Sequence, residues 1–566
     1  MITHQLDSIQ SRELSVAMTG DLDGLLRQHF AHQGRQEDLT FVTWRWSHGK
    51  TRSTMVLQRA ILPADDERIL DGNVSFTSEY LTRALGEVMP GEGLGLIHSH
   101  LGPGWQDMSW DDVVAERDRL AGTVSGRTEL PLLGMTWGTD GTWSARAWGR
   151  SAPFVYDRVE IPVVRVAGPG GLAMSFHPRE RPAPAPVPAQ EATVSVWGEQ
   201  AQKDIARTRV GIIGLGSVGS IVAEALSRVG FSHVVLLDFD HIKIRNLDRT
   251  MHATRDDALS ETKKVDVAAR AIADSHTAAD MTVQQIPETL LSEAGVLAAL
   301  DCDVLISCVD RPWPRWLLNG LAYAHLVPVI DGGIFAAVTP AGRPLHIDWR
   351  IHTVGPGRAC LVCLGALLRS DVGLDRDGLL DDPDYIANLP PSERERYSRR
   401  NVFPFSLAVA AHEVLHLVGM IAASSRVSGI GPQHYQAYPG RMDVEATKRC
   451  EPGCEFEEMT ATAIALAEQF SCEQAVQVDL RQDCMGRLAR ATIYSALDLR
   501  RRAQILACSA AVQPTPWGLS RPALIGYRSV SRRRGAPHSD TLDLCLPSVR
   551  RIASVVKIGV APTGRV

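Results

Sequence analysis

The sequence predicts an α/β protein built from several domains, on three observations. At 566 residues the chain is longer than one hydrophobic core organises, and about three domains is the expectation for that length. A Pro/Ala tract from Arg179 to Gln190 breaks the chain and reads as an extended, semi-rigid linker. Beyond it, an apolar strand runs directly into a glycine-rich turn and a helix, the repeating unit of open parallel sheets. The expected division is 12–178, a linker at 179–192, a second domain at 193–458 and a tail at 459–566.

Composition supports an ordinary globular chain, with 45% apolar and 22% charged residues. No uninterrupted apolar run approaches the ~20 residues of a membrane span. The N-terminus lacks a basic stretch followed by an apolar core, so no secretory signal is visible and the expected compartment is the cytoplasm. Ten cysteines in a chain this long are not a disulfide framework. The net charge of −6 is uneven, because residues 485–566 hold 13 Arg and 1 Lys against 3 Asp and no Glu. The remainder is acidic, which argues against nucleic acid as its substrate.

In the first domain, a helix-like segment from Asp21 to Phe30 precedes the strand Leu39–Trp44, and Leu94–Ile97 forms a second apolar run ending in His98-Ser99-His100. Histidines at i and i+2 of a strand point to one side. Ser109 and Asp112, three apart at a helix start, share a face. Two imidazoles and a carboxylate are the ligands of a catalytic zinc, with a fourth position left open. Asp111 competes with Asp112 by spacing, and Ser109 with Asp112 also reads as a capping box. Strand-like runs follow at 131–137, 142–148 and 161–166.

This His-x-His…Ser-x-x-Asp pattern resembles the JAMM (JAB1/MPN+) metalloproteases, which cut peptide or isopeptide bonds at the tails of ubiquitin-like proteins. Eight residues rather than the family's seven separate His100 from Ser109. The resemblance implies a JAB/MPN-like α/β fold and a catalytic Zn²⁺ on His98, His100 and Asp112. It also implies an upstream glutamate, here Glu37, that moves a proton between attacking water and leaving amine, with Asp38 as rival. Ser109 would help hold the oxyanion.

In the second domain, Arg209–Ile213 leads into Gly214, Gly216 and Gly219, and the next strand, His233–Leu237, ends at Asp238. Glycines let backbone N–H groups close on phosphate at a helix N-terminus, and Asp238 can hold ribose hydroxyls. That is a Rossmann-like nucleotide site, compatible by itself with an NAD-dependent oxidoreductase. The run Asp238-Phe-Asp240 to Asn246-Leu-Asp-Arg249, then Lys264-Val265, then Asp303 to Asp310 with Arg315 and Asn319, resembles the ubiquitin-activating-type adenylyltransferases (ThiF/MoeB/HesA superfamily). The resemblance spans 197–454. It implies ATP and Mg²⁺, with Arg249 and Lys264 on the phosphates and Asp310 on the metal. The implied substrate is the C-terminal glycine of a ubiquitin-like protein.

Cys360-x-x-Cys363 and Cys450-x-x-x-Cys454 have the spacing of a closed structural Zn²⁺ site. No cysteine lies between Leu364 and Arg449, so no thioester nucleophile is assigned; Cys472 and Cys484 carry no sign of activation. His412-Glu-Val-Leu-His416 matches the zincin motif literally, but in the adenylyltransferase frame this apolar helix packs and forms a dimer. The Arg-rich tail matches nothing nameable. The combined expectation is a cytoplasmic fusion of JAMM-type peptidase and adenylyltransferase. Its expected partners are a ubiquitin-like protein, a conjugating enzyme or sulfur donor, and a second copy of the chain. A non-catalytic scaffold binding a ubiquitin-like tail is the alternative from another class.

Overall fold

The computed structural model describes residues 10–31, 36–71, 73–185, 187–339, 343–390, 393, 394, 397, 400–422 and 430–464. The chain divides into units 1–484 and 485–566. The Arg-rich segment, Cys472 and Cys484 lie outside the described residues.

Two large sheets organise the first unit. The N-terminal sheet has nine strands: β1 (Glu13–Thr19), β2 (Leu39–His48), β3 (Arg52–Ile61), β6 (Gly93–Ser99), β7 (Leu132–Trp137), β8 (Trp143–Ala152), β9 (Val155–Glu160), β10 (Val163–Gly168) and β11 (Gly171–Phe176). Their order is β11-β10-β1-β3-β2-β6-β7-β8-β9, and a small hairpin, β4 (Arg68–Asp71) and β5 (Asn73–Phe76), stands apart. Helix α1 (Gly20–Ala31) covers one face, where Leu22, Leu26 and Phe30 meet Met18, Trp44 and Trp143. Part of the other face is covered by α2 (Ser78–Glu87) and by α3, which runs through Trp110–Val113, Val114–Leu120 and Ala121–Thr128.

The second sheet has eight strands in the order β14-β13-β12-β15-β16-β17-β18-β19. Its parallel part comprises β12 (Arg209–Ile213), β13 (His233–Leu237), β14 (Thr282–Ile286), β15 (Val304–Ser307) and β16 (Val329–Val338). The central strands β12, β13 and β15 are rich in Val, Ile and Leu, as strands buried on both faces must be, whereas edge strand β14 is largely polar and partly exposed. Antiparallel β17 (Pro344–Val354), β18 (Gln433–Gln436) and β19 (Arg441–Val444) complete the sheet. The parallel strands run 3-2-1-4-5 in chain order, so connections leave in opposite directions from β12 and β15 and open a crevice at their C-terminal ends. Helices α4 (Glu191–Arg207), α5 (Ser217–Val229), α6 (Lys264–Ser275), α7 (Glu293–Leu300), α8 (Pro312–Ala324), α9 (Arg369–Arg376) and α10 (Phe403–Ile421) surround it. By length and composition α10 could cross a membrane, yet half of it is buried in the protein.

The two sheets join at the N-terminal ends of β12 and β15. Arg52 Nη1 reaches Asp303 Oδ1 at 2.7 Å, Arg165 Nη1 donates to the Cys302 carbonyl at 3.0 Å, and Asp301 accepts the Thr51 and Arg52 N–H groups. The Pro/Ala tract does not hang free at its start. Arg181 is buried, with Nη1 on Glu13 at 3.1 Å and a second nitrogen on the Arg207 carbonyl.

Candidate functional site

At the end of β6, His98 Nε2 and His100 Nε2 lie 3.1 Å apart, and the Asp112 carboxylate closes the triangle at 3.4 Å from His98 and 3.3 Å from His100. Asp112, not Asp111, joins the histidines. Ser109 caps α3 by accepting the Asp112 N–H at 3.2 Å, and the Asp112 carboxylate accepts the Ser109 N–H at 2.8 Å. The cap therefore aims the carboxylate at the two histidines. Burial opposes charge on Asp112, but hydrogen bonds from His100 and His98 win and hold it far below the usual carboxylate range.

These three edges fit zinc. Bonds of about 2.0–2.1 Å to N and O in tetrahedral geometry require ligand atoms about 3.3 Å apart. Leu39 pairs with His98 and the Ser99 N–H donates to the Asp38 carbonyl at 2.9 Å, so Glu37 lies just before β2, beyond the last paired residue. The Asp38 carboxylate is buried against Arg68 Nη1 at 2.5 Å and His29 Nε2 at 3.4 Å.

The second site occupies the crevice between β12 and β15. Gly214 adopts φ +92°, and a Cβ there would stand 2.9 Å from the Cys308 carbonyl, so only glycine fits the turn. Gly216 caps α5, and Gly219 lies in its first turn. Asp238 anchors the loop, accepting the Leu215 N–H at 2.6 Å and the Asp240 N–H at 2.8 Å. Burial raises its pKa, with Lys264 opposing.

Lys264 begins α6, with Nζ 2.8 Å from Asp240 Oδ2 and 3.6 Å from Asp238 Oδ2. Burial pulls its ammonium down, but Asp238, Asp240 and Asp310 outweigh burial and keep it raised. Asp310 is exposed just beyond β15. Asn246 Oδ1 accepts the Lys243 N–H at 2.9 Å and closes the short turn that carries Arg249. Arg249 Nη1 bonds Asp248 at 2.7 Å and the Arg245 carbonyl at 2.8 Å; among the described residues none of its bonds reaches the loop or Lys264. Arg315 is partly buried and paired with Asp331, and Asn319 accepts the Leu361 N–H at 3.3 Å.

The sulfur atoms of Cys360, Cys363, Cys450 and Cys454 all lie within 4.8 Å of one another, and Cys360 and Cys454 are 3.8 Å apart. That is about the edge of a tetrahedron with Zn–S bonds of about 2.3 Å. On α10, Glu413 is fully buried beside Cys308 and Gly332, and His416 Nδ1 lies 3.2 Å from Thr353 Oγ1. His412 and His416 do not belong to either metal-ligand cluster found among the described residues. Burial pushes the Cys302 thiol up to about 12, and burial with the neighbouring Glu413 also raises Cys308 well above its ordinary value, so neither is an activated thiol.

Residues 189–372 match the ThiF family profile. This stretch is a ThiF family domain. It contains the glycine loop, Asp238, Lys264, Asp310 and the first cysteine pair. Molybdopterin-synthase adenylyltransferase of Escherichia coli (strain K12) is 32% identical over 173 residues, 30% of this chain and 62% of that protein. Ubiquitin-like modifier-activating enzyme 5 of Drosophila mojavensis is 27% identical over 202 residues, 33% of this chain and 48% of that enzyme. The chain thus spans about half to three-fifths of these curated relatives. A crystal structure of E. coli MccB with succinimide aligns at 16% identity and a TM-score of 0.37, covering 48% of this chain and 74% of that one.

Sequence reasoning missed a buried charged group behind the histidines, Glu116 with Arg146. One signal was present: Glu116 sits on the apolar stripe Val113, Leu120, Val124 of α3, where a lone acid needs a buried partner.

Proposed function

We propose that the ThiF family domain adenylates the C-terminal carboxylate of a ubiquitin-like or sulfur-carrier protein. The observation that carries this reading is the array at the topological switch point: glycine loop, Asp238–Lys264–Asp240 cluster and Asp310 at one crevice. The α5 N-terminus and Lys264 would hold the phosphates of ATP, and Asp238 keeps the loop in its closed turn. Asp310 would hold Mg²⁺, which would supply charge neutralisation at the phosphates. Arg249 would leave Asp248 to reach the same phosphates. The tail carboxylate attacks the α-phosphorus, the bond to the β-phosphate oxygen breaks, and pyrophosphate leaves.

We propose further that the N-terminal sheet is a JAMM-type peptidase acting on the same class of tail. His98, His100 and Asp112 would hold Zn²⁺, which supplies a Lewis acid for amide cleavage. Glu37 moves the proton, since Asp38 is turned away into ion pairs, and Ser109 faces the developing oxyanion. The cysteine set would hold a structural Zn²⁺.

A homodimer through α10 is supported by Leu407 and Leu415, spaced i and i+8, which are exposed at 48% and 61% on an apolar helix that is half buried. The six described cysteines are free thiols, in keeping with a cytoplasmic setting. The pairing of both activities suits a bacterial-type conjugation or sulfur-transfer route with a conjugating enzyme or sulfur donor downstream.

Intact-mass spectrometry tests the reading. A precursor with residues beyond its terminal glycine, incubated with the chain and MgATP, should be trimmed and then adenylated. Trimming should vanish in His98→Ala and adenylation in Asp310→Ala. A precursor left unchanged by the wild-type chain contradicts both halves.

A further inference from the structure

His98 and Asp112 come from different elements, and the cap at Ser109 fixes Asp112 only relative to its own helix. Just beyond Asp112, α3 changes its winding. Across Val114–Leu120 it is π-helical, and the Ala121 N–H donates to the Glu116 carbonyl five residues back. Such a bulge often marks a functional site. Here it accompanies Glu116, one turn past Asp112, pointing into the sheet with no solvent exposure.

There the carboxylate is fully claimed. Arg146 Nε donates to Glu116 Oε2 at 2.9 Å and Trp148 Nε1 donates to the same oxygen at 2.7 Å. A second guanidinium nitrogen of Arg146 bonds the other oxygen. A Cβ on Gly134 would stand 2.3 Å from Glu116 Oε2, so a glycine in β7 leaves room for the carboxylate. Arg146 Nη1 continues the chain to Thr136 Oγ1 at 2.6 Å, and Thr136 on β7 is the register partner of His98 on β6. The circuit closes from His98 through Thr136, Arg146 and Glu116 to Asp112.

A buried ion pair is weak evidence for stability, because apolar residues of similar volume fill such a space at least as well. We propose that Glu116 and Arg146 are positioning residues that lock α3 just past Asp112 against β7 and β8, the strands next to β6, and so set Asp112 at ligand distance from His98 and His100. This rests on the metal-site reading given above. Outer-shell partners of this kind typically change metal affinity by roughly 10- to 100-fold.

Cobalt reads the effect without any substrate. The full chain, stripped of metal, is titrated with Co²⁺ and followed by absorption. Thiolate-to-metal charge transfer reports the cysteine set, and weaker visible bands lost in His98→Ala report the histidine set. Glu116→Gln should weaken the His98-dependent site by roughly tenfold or more and alter its visible bands, leaving the thiolate bands unchanged. Glu116→Met with Arg146→Met leaves no buried charge. It should unfold in denaturant at the wild-type midpoint or above, yet bind Co²⁺ weakly at the histidine set. Wild-type affinity and bands in the double variant would overturn the proposal. A wild-type chain with no His98-dependent cobalt would remove the metal-site reading and the proposal with it.

Discussion

Arg52 Nη1 and Asp303 Oδ1 meet at 2.7 Å across the boundary between the two sheets, and neither side chain has any solvent exposure. Asp303 also accepts the Arg209 N–H at 2.8 Å, and Arg165 Nη1 stands 3.5 Å away. Burial alone would raise the Asp303 pKa, but Arg52, Arg165 and Arg181 hold the carboxyl well below its ordinary range. The N-terminal sheet and the ThiF family domain are therefore joined by a charged centre rather than by the linker alone.

Removing one member of that centre strands the others. Asp303→Asn should cost about 3–5 kcal/mol, the usual penalty for an uncompensated buried charge. Denaturant unfolding followed by fluorescence checks this. Replacing Arg52 and Asp303 together by apolar residues should recover much of the loss.

Acid should weaken the chain before its carboxylates titrate. His325 lies at the same boundary, with Nδ1 2.7 Å from Ser47 Oγ and Nε2 2.9 Å from the Ile464 carbonyl. Burial lowers its pKa from 6.5 to about 4. The unfolded chain takes up this proton first, so stability is full above pH 6.5, falls as pH drops towards 4, and below that stays at the lowered level with no further change from this group. The loss is about 3 kcal/mol at most for a shift of that size. Unfolding at pH 7 and pH 5 should show a smaller difference in His325→Gln than in the wild type.

Lys264 joins Asp238 and Asp240 at the crevice, and no other lysine takes that place among the described ion pairs. Lys264→Met should reduce adenylation by at least about 100-fold, as loss of a preorganised charge at a reacting centre does. The fold should survive, because Asp240 is half exposed and can be solvated. Circular dichroism alongside the rate separates the two effects.

The cysteine set makes a prediction about metal content. Cys454→Ser should lower bound zinc by one ion per chain and lower thermal stability, because a closed thiolate site contributes folding energy directly. Elemental analysis and melting of the same sample check both.

What the sequence made legible followed from local chemistry. His98, His100, Ser109 and Asp112 fall within fifteen residues, and strand alternation with a capping pattern is enough to bring them together. The glycine loop and Asp238 were equally readable, because β12, turn, α5 and β13 follow directly. Asp38 could not be separated from Glu37 until the structure showed the Asp38 carboxylate engaged by Arg68 and His29. Contacts between distant residues left no trace of who the partner is, even where an acid on an apolar stripe, Glu116, called for one. Glu116 and Arg146 are 30 apart, and Arg52 and Asp303 are 251 apart. The π-helical turn that accompanies the burial of Glu116 has no sequence signature. The sequence reads Asp238 as able to hold ribose hydroxyls; that its carboxylate also anchors the loop backbone only the fold of the turn reveals.

The most direct measurement is ATP–pyrophosphate exchange by the full chain with ubiquitin-like proteins ending in glycine, each compared with the same protein bearing a blocked C-terminal carboxylate. The account predicts exchange that requires the free carboxylate and is lost in Asp310→Ala. Exchange that proceeds with the blocked protein, or persists undiminished in Asp310→Ala, would contradict it.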